Sequence, residues 1–142
     1  MRLALDLTLP ADTRLLAATR KVLAVYLEEF GASPSVADDV ILAIDEACTN
    51  VVRHAYPDGG DGNYSVCAEV GRERISIDVT DEGVGFDLMA RPAPRDTDPH
   101  MDSGGRGFEV MRRLMTTVEV ESPTASGGTR LRLVRLFPPV ID

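Results

Sequence analysis

The chain has 142 residues, 44% hydrophobic and 27% charged, which suits one compact domain over residues 1–142 and leaves no room for a second. Lys plus Arg number 15 against 23 Asp plus Glu, and the resulting net charge of −8 argues against nucleic acid as a main partner. Lys21 is the only lysine, so a P-loop and a protein-kinase strand lysine are both excluded.

Leu3, Leu5, Leu7 and Leu9 alternate with other residues and predict a strand with one buried face. Asp6 interrupts the apolar run a signal peptide needs, and no stretch approaches about eighteen uncharged apolar residues. The expectation is a soluble, cytoplasmic protein that makes no use of a membrane. Leu15, Leu16, Val22, Leu23, Tyr26, Leu27 and Phe30 then recur at helical spacing between Asp12 and the stop at Gly31. Ser33-Pro34 is a start signal for a second helix, a capping hydroxyl followed by a ring that needs no N–H partner. Its apolar stripe of Val36, Val40, Ile44, Ala47, Val51 and Ala55 runs to about residue 55, before Tyr56-Pro57-Asp58-Gly59-Gly60.

Tyr64, Val66, Ala68 and Val70, then Ile75, Ile77 and Val79, form two period-two runs around Gly71-Arg72-Glu73, a hairpin. Asp87 to Ser103 is rich in Pro and Asp and predicts a long loop of the lid type. Phe108, Val110, Met111, Leu114 and Met115 predict a short helix opened by Gly104-Gly105-Arg106-Gly107, and Val118 and Val120 with Leu131, Leu133 and Leu136 predict a closing hairpin. Cys48 and Cys67 sit in apolar patterns without a C-x-x-C and are expected as reduced core thiols. The order gives a sheet with its helices layered on one face, an α/β protein of the α+β two-layer sandwich kind.

Four segments carry polar or glycine chemistry. On the second helix, Glu46, Asn50 and Arg53 fall within about 60° of one another. Carboxylate, carboxamide and guanidinium suit a base, a hard-metal ligand and a phosphate clamp, although a solvated face with Glu-to-Arg support has the same pattern. Asp81-Glu82-Gly83-Val84-Gly85-Phe86-Asp87 follows a strand. It is no dinucleotide fingerprint, because Leu88 stands where the third glycine belongs, and no EF-hand either; a plain turn is the alternative. Gly104-Gly105-Arg106-Gly107-Phe108 leaves backbone N–H groups bare at a helix start, which attracts phosphate, or serves as a hinge. Gly127-Gly128-Thr129 precedes the last strand and by itself is a hairpin turn.

Taken in order, a helix with Glu-x-x-x-Asn, a D-x-G-x-G, a lid, a G-x-G before a helix and a Gly-Thr before a strand resemble the GHKL ATPase superfamily. Within it, Asp45-Glu46-Ala47-Cys48-Thr49-Asn50-Val51-Val52-Arg53-His54-Ala55-Tyr56 is similar to the N-box of the bacterial anti-sigma-factor serine kinases. The resemblance implies a Bergerat-type ATP-binding fold with a mixed, mostly antiparallel sheet.

It further implies ATP or ADP as ligand, with Asp81 accepting from the adenine amine, Gly83 and Gly85 admitting the base, and Thr129 completing the pocket. Asn50 would hold Mg²⁺ and Arg53 would reach the phosphates. Gly105, Arg106, Gly107 and Phe108 form the phosphate turn, with Gly105 and Gly107 cradling through N–H groups. Glu46 matches the family's catalytic base, taking the proton of a serine or threonine hydroxyl. Related kinases can carry a basic residue just before the glycine turn, where this chain has Ser103. The implied activity is a Mg-ATP-dependent serine/threonine protein kinase and anti-sigma factor, with a sigma factor and an anti-sigma-factor antagonist as partners and homodimerisation as in relatives. The alternative is a nucleotide-gated binding module without phosphotransfer. No dimerisation segment with an acceptor histidine accompanies His54 or His100, so histidine autophosphorylation is not expected.

Overall fold

The computed structural model describes residues 3–54, 62–83, 103–125 and 127–137. Among the described residues the strands and α-helices are, in order, β1 (Leu3–Pro10), α1 (Leu16–Phe30), α2 (Pro34–His54), β2 (Asn63–Val70), β3 (Arg74–Asp81), α3 (Ser103–Leu114), β4 (Thr117–Glu121) and β5 (Thr129–Leu136). The loop expected from Asp87 lies outside the described residues, except for Ser103, which already belongs to α3.

Local chemistry sets the helix ends. The Asp12 carboxylate accepts from the Arg14 N–H at 2.9 Å and starts a 3-10 turn, Thr13–Leu15, that leads into α1. The helix stops at Gly31 with φ of +89°, a left-handed conformation that glycine alone adopts without strain. The Ser33 hydroxyl accepts from the Val36 N–H at 3.3 Å and caps α2.

The sheet has the order β1-β2-β3-β5-β4, and each of its four pairings is antiparallel. Among the described residues no parallel pair forms, for a topological reason. The crossover through α3 brings β4 back running alongside β3, but β5 returns from β4 and inserts between them, so the two never pair.

On one sheet face Val66, Ala68, Val70, Ile75, Ile77, Val79, Leu131 and Leu133 are each no more than 1% exposed and pack with Leu23, Leu27, Ile44, Val51 and Met111 of the helices. Each Val, Leu, Ile or Met side chain among them removed from water contributes roughly 1.5–3 kcal/mol before entropy is counted. Leu5, Leu7 and Leu9 share this face yet stay only partly buried, because β1 is an edge strand with a neighbour on one side.

The opposite face is polar. There Asp78 accepts from Arg130 at 3.1 Å and from Arg132 at 2.9 Å. Cys67 belongs to this face, donating to Asp6 at 3.3 Å, so the expectation of two core thiols holds for Cys48 alone. The period-two pattern of β2 fixes the outcome, since Val66 and Ala68 point inward and the residue between them cannot.

Two polar ties hold the helices to the sheet. Tyr64 of β2, 3% exposed, shares hydrogen bonds with Cys48 of α2 and Thr19 of α1, and burial pushes the Cys48 thiol up to about 12. Arg135 of β5 donates to Asp39 of α2 at 2.8 Å and to the Leu114 carbonyl, which closes the C-terminal end of α3. No described helix is long and apolar enough to cross a membrane.

Candidate functional site

The buried stripe of α2, Val40, Ala43, Ile44, Ala47, Cys48 and Val51, fixes the rotation of that helix against the sheet. Glu46 and Asn50 are therefore left half-buried on its flank, with Arg53 exposed beyond them. α3 packs along α2. At Gly107 a Cβ would stand 3.2 Å from Glu46 Oε2, so the carboxylate lies directly against the α3 backbone.

Burial raises the Glu46 pKa, the neighbouring Asp45 raises it further, and Arg53 opposes both. Asp45 is itself paired with Arg20 of α1 at 2.8 Å. The outcome is a carboxylate better able to hold a proton than an exposed glutamate. His54, in the last turn of α2, is shifted the other way, first by burial and then by Arg53, which favours a neutral imidazole.

In a helix that begins at Ser103, the N–H groups of Ser103, Gly104 and Gly105 have no intrahelical acceptor. Gly105, where the sequence leads us to expect phosphate oxygens, is among these residues. Gly107 is the fifth residue, however, so its N–H is committed to the helix, and its contribution is the space it leaves for Glu46. Phe108, expected with the phosphate turn, is 5% exposed in the core, with the Arg112 guanidinium 5.8 Å from its ring centroid. Its side chain anchors α3. The side chain of Arg106 is outside what the structure describes, and so is Gly85.

The second group gathers at the ends of three strands. Asp81, 3% exposed, closes β3 opposite Thr129. Its Oδ1 accepts from the Gly83 N–H at 3.0 Å and from the Thr129 N–H at 3.3 Å, which orients the carboxylate. Burial raises the Asp81 pKa, and the two N–H donors counter that.

Gly128 presses on the Asp81 backbone so closely that a Cβ would sit 1.8 Å from the Asp81 carbonyl oxygen. Its neighbour Gly127, at φ of +96°, makes the actual turn. The Thr129 hydroxyl lies 2.8 Å from the Ser122 hydroxyl. Sequence reasoning missed both Ser122 and the steric role of Gly128. The register of β4 on β5, with Glu121 opposite Arg130, is the signal that leads to Ser122.

No group of three or more His, Cys, Asp or Glu among the described residues could hold a metal ion. A divalent ion here would take one amide oxygen from Asn50 and the rest of its shell from phosphate and water. That donor set fits Mg²⁺, which keeps waters and prefers phosphate oxygens.

The family model described as the histidine kinase-like ATPase domain matches residues 9–135. The chain is 31% identical over 124 residues to the serine-protein kinase RsbW of Bacillus velezensis, covering 83% of this chain and 78% of that protein. It is 31% identical over 125 residues to the anti-sigma F factor of Clostridium acetobutylicum, covering 87% and 86%. Among solved structures, the RsbU and RsbW domains of Rv1364c from Mycobacterium tuberculosis superpose with a TM-score of 0.68 at 25% identity; the match covers 99% of this chain and 34% of that one. The histidine kinase domain of the Erythrobacter litoralis EL346 blue-light activated histidine kinase shares the fold, with a TM-score of 0.55 at 17% identity over 84% of this chain and 60% of that one.

Proposed function

The chain belongs to the histidine kinase-like ATPase domain family, and from that premise we propose that it is a Mg-ATP-dependent serine/threonine protein kinase that phosphorylates an anti-sigma-factor antagonist and sequesters a sigma factor. The relatives named above as a serine-protein kinase and an anti-sigma F factor support both halves of this reading. The observation that carries the phosphotransfer half is the half-buried Glu46 carboxylate, held against Gly107 where α2 meets the first turn of α3.

Asp81 accepts a hydrogen bond from the adenine amine through Oδ2. A carboxylate only accepts, so guanine, with a carbonyl at that position, is rejected. Thr129 completes the base pocket. The free N–H groups of the first α3 turn receive phosphate oxygens, and Arg53 adds its charge from the α2 side. Asn50 would hold Mg²⁺ through its amide oxygen, and the ion would supply positive charge against the phosphates. A serine oxygen of the antagonist attacks the γ-phosphorus, the bond from that phosphorus to the ADP oxygen breaks, ADP departs, and the serine proton passes to Glu46. The protein acts in the cytoplasm as one domain over residues 1–142.

Two measurements test this. A melting curve with Mg²⁺ and ATP or ADP at 100 times its dissociation constant gains about 2.7 kcal/mol of stability, and less at the same nucleotide concentration without Mg²⁺. In a transfer assay with labelled ATP and the antagonist, Glu46→Gln keeps nucleotide binding and slows transfer by roughly 10² to 10⁴. Transfer by that variant at the parental rate removes Glu46 from the mechanism. Nucleotide binding without transfer in the parent protein selects the nucleotide-gated binding module instead.

A further inference from the structure

We infer that Ser122 is a positioning residue for purine recognition, its hydroxyl donating to that of Thr129 and so aiming the Thr129 proton at the edge of the base. The inference rests on the nucleotide reading above and extends it to a residue outside every glycine or N-box motif. Ser122 directly follows β4, and the pairing of Glu121 with Arg130 carries it to the level of Thr129. The two hydroxyl oxygens are 2.8 Å apart. Thr129 is 4% exposed, and its N–H donates to Asp81 Oδ1 at 3.3 Å. Ser122, Thr129 and Asp81 therefore form one hydrogen-bonded line across the ends of β4, β5 and β3.

An adenine edge presents an amine donor beside a ring-nitrogen acceptor, and its reader must present an acceptor beside a donor. The Asp81 carboxylate supplies the acceptor. A hydroxyl has one proton and two lone pairs and rotates to suit its partners, so a donor to the Thr129 oxygen holds the Thr129 proton toward the base. Ser122 is placed to do this. Without it the Thr129 hydroxyl rotates freely and offers the base either a proton or a lone pair, and the donor-acceptor pattern that distinguishes a 6-amino from a 6-oxo purine is blurred.

The test is calorimetric titration of the full chain and of Ser122→Ala, Ser122→Thr and Asp81→Asn with ATP, GTP and 1-deaza-ATP, in which the ring nitrogen is a C–H. The expected result for Ser122→Ala is an ATP affinity lower by about 3- to 10-fold, as for loss of one neutral hydrogen bond, with 1-deaza-ATP unaffected. Ser122→Thr restores ATP binding. Equal weakening of both nucleotides assigns Ser122 a merely structural part and overturns the inference, as does parental ATP affinity in Ser122→Ala. If the parent protein binds no adenosine nucleotide, the nucleotide reading itself falls. If it binds ATP and responds to Asp81→Asn but not to Ser122→Ala, only the role of Ser122 falls.

Discussion

The Glu46 carboxylate and Gly107 are in contact across the α2–α3 boundary, with only 3.2 Å between Oε2 and the position a Cβ at 107 would take. Helix propensity and the role proposed for Glu46 make opposite demands at this position. Alanine is the better helix former by roughly 1 kcal/mol, and the atom it meets is the end of a flexible side chain that can yield by a few tenths of an ångström. Gly107→Ala should therefore leave the melting temperature equal or slightly raised. The displaced carboxylate should at the same time lower the transfer rate on the order of tenfold. Thermal melting paired with single-turnover transfer checks this, and a stabilised variant at full rate would detach Gly107 from the chemistry.

The electrostatics around Glu46 give the pH dependence a sign. Burial and Asp45 both raise its pKa, while Arg53 lowers it. A general base works ionised, so with Glu46 in the proposed role kcat/KM should rise with pH through this group, on an acid limb placed above that of an ordinary glutamate. Neutralising Arg53 as Arg53→Gln should move the limb to higher pH, and Asp45→Asn should move it lower. The pH–rate profiles of the three proteins decide the matter; a limb that stays put in both variants belongs to another group.

Much of this was legible in the sequence because side-chain period maps directly onto burial. Val66, Ala68 and Val70 alternate, and their strand has one buried face; Val40, Ile44 and Val51 recur at helical spacing, and α2 buries that stripe. The N-box residues could be placed on one flank by the same arithmetic. Strand order was not legible, because the insertion of β5 between β3 and β4 depends on pairing between residues distant in sequence. For the same reason Ser122 went unnoticed, being linked to the site only through the register of β4 on β5. Phe108 illustrates a different failure, since a motif residue beside a phosphate turn and a core anchor look alike until the helix rotation is known.

Two adjacent glycines should respond differently to the same change. At Gly127 the cost of alanine comes from the positive φ of +96°, with nothing within 4 Å to collide with, and amounts to roughly 1–2 kcal/mol. At Gly128 the added carbon overlaps the Asp81 carbonyl, which the backbone must move to relieve, at a cost of about 3 kcal/mol or more. Because that movement displaces Asp81, Gly128→Ala should also lose ATP affinity, whereas Gly127→Ala should keep it. Parallel melting and titration of the two variants provide the comparison. Equal nucleotide affinity in both would mean that Asp81 does not read the base.

Replacing Asp81 by asparagine separates stability from binding. The oxygen of the substituted carboxamide can still accept from the Gly83 and Thr129 N–H groups, so the local turn keeps both hydrogen bonds, now to a neutral acceptor. What disappears is a buried charge. Burial raises the Asp81 pKa, so the folded state holds this proton more tightly than the unfolded chain does. The resulting advantage is complete below the ordinary aspartate range and is lost as pH rises from there through the raised value. At neutral pH the ionised carboxylate therefore burdens the fold, and Asp81→Asn without nucleotide should melt at the same temperature or higher, the difference closing as the solution is acidified. Nucleotide binding should move the opposite way, because the new amide turns its NH₂ toward the adenine amine, donor against donor. ATP affinity should fall at least on the order of tenfold, and preference over GTP should shrink. Melting curves across pH, with ATP and GTP titrations on the same samples, test both halves; a variant that loses stability at neutral pH while keeping its preference for ATP would contradict both assignments of this carboxylate.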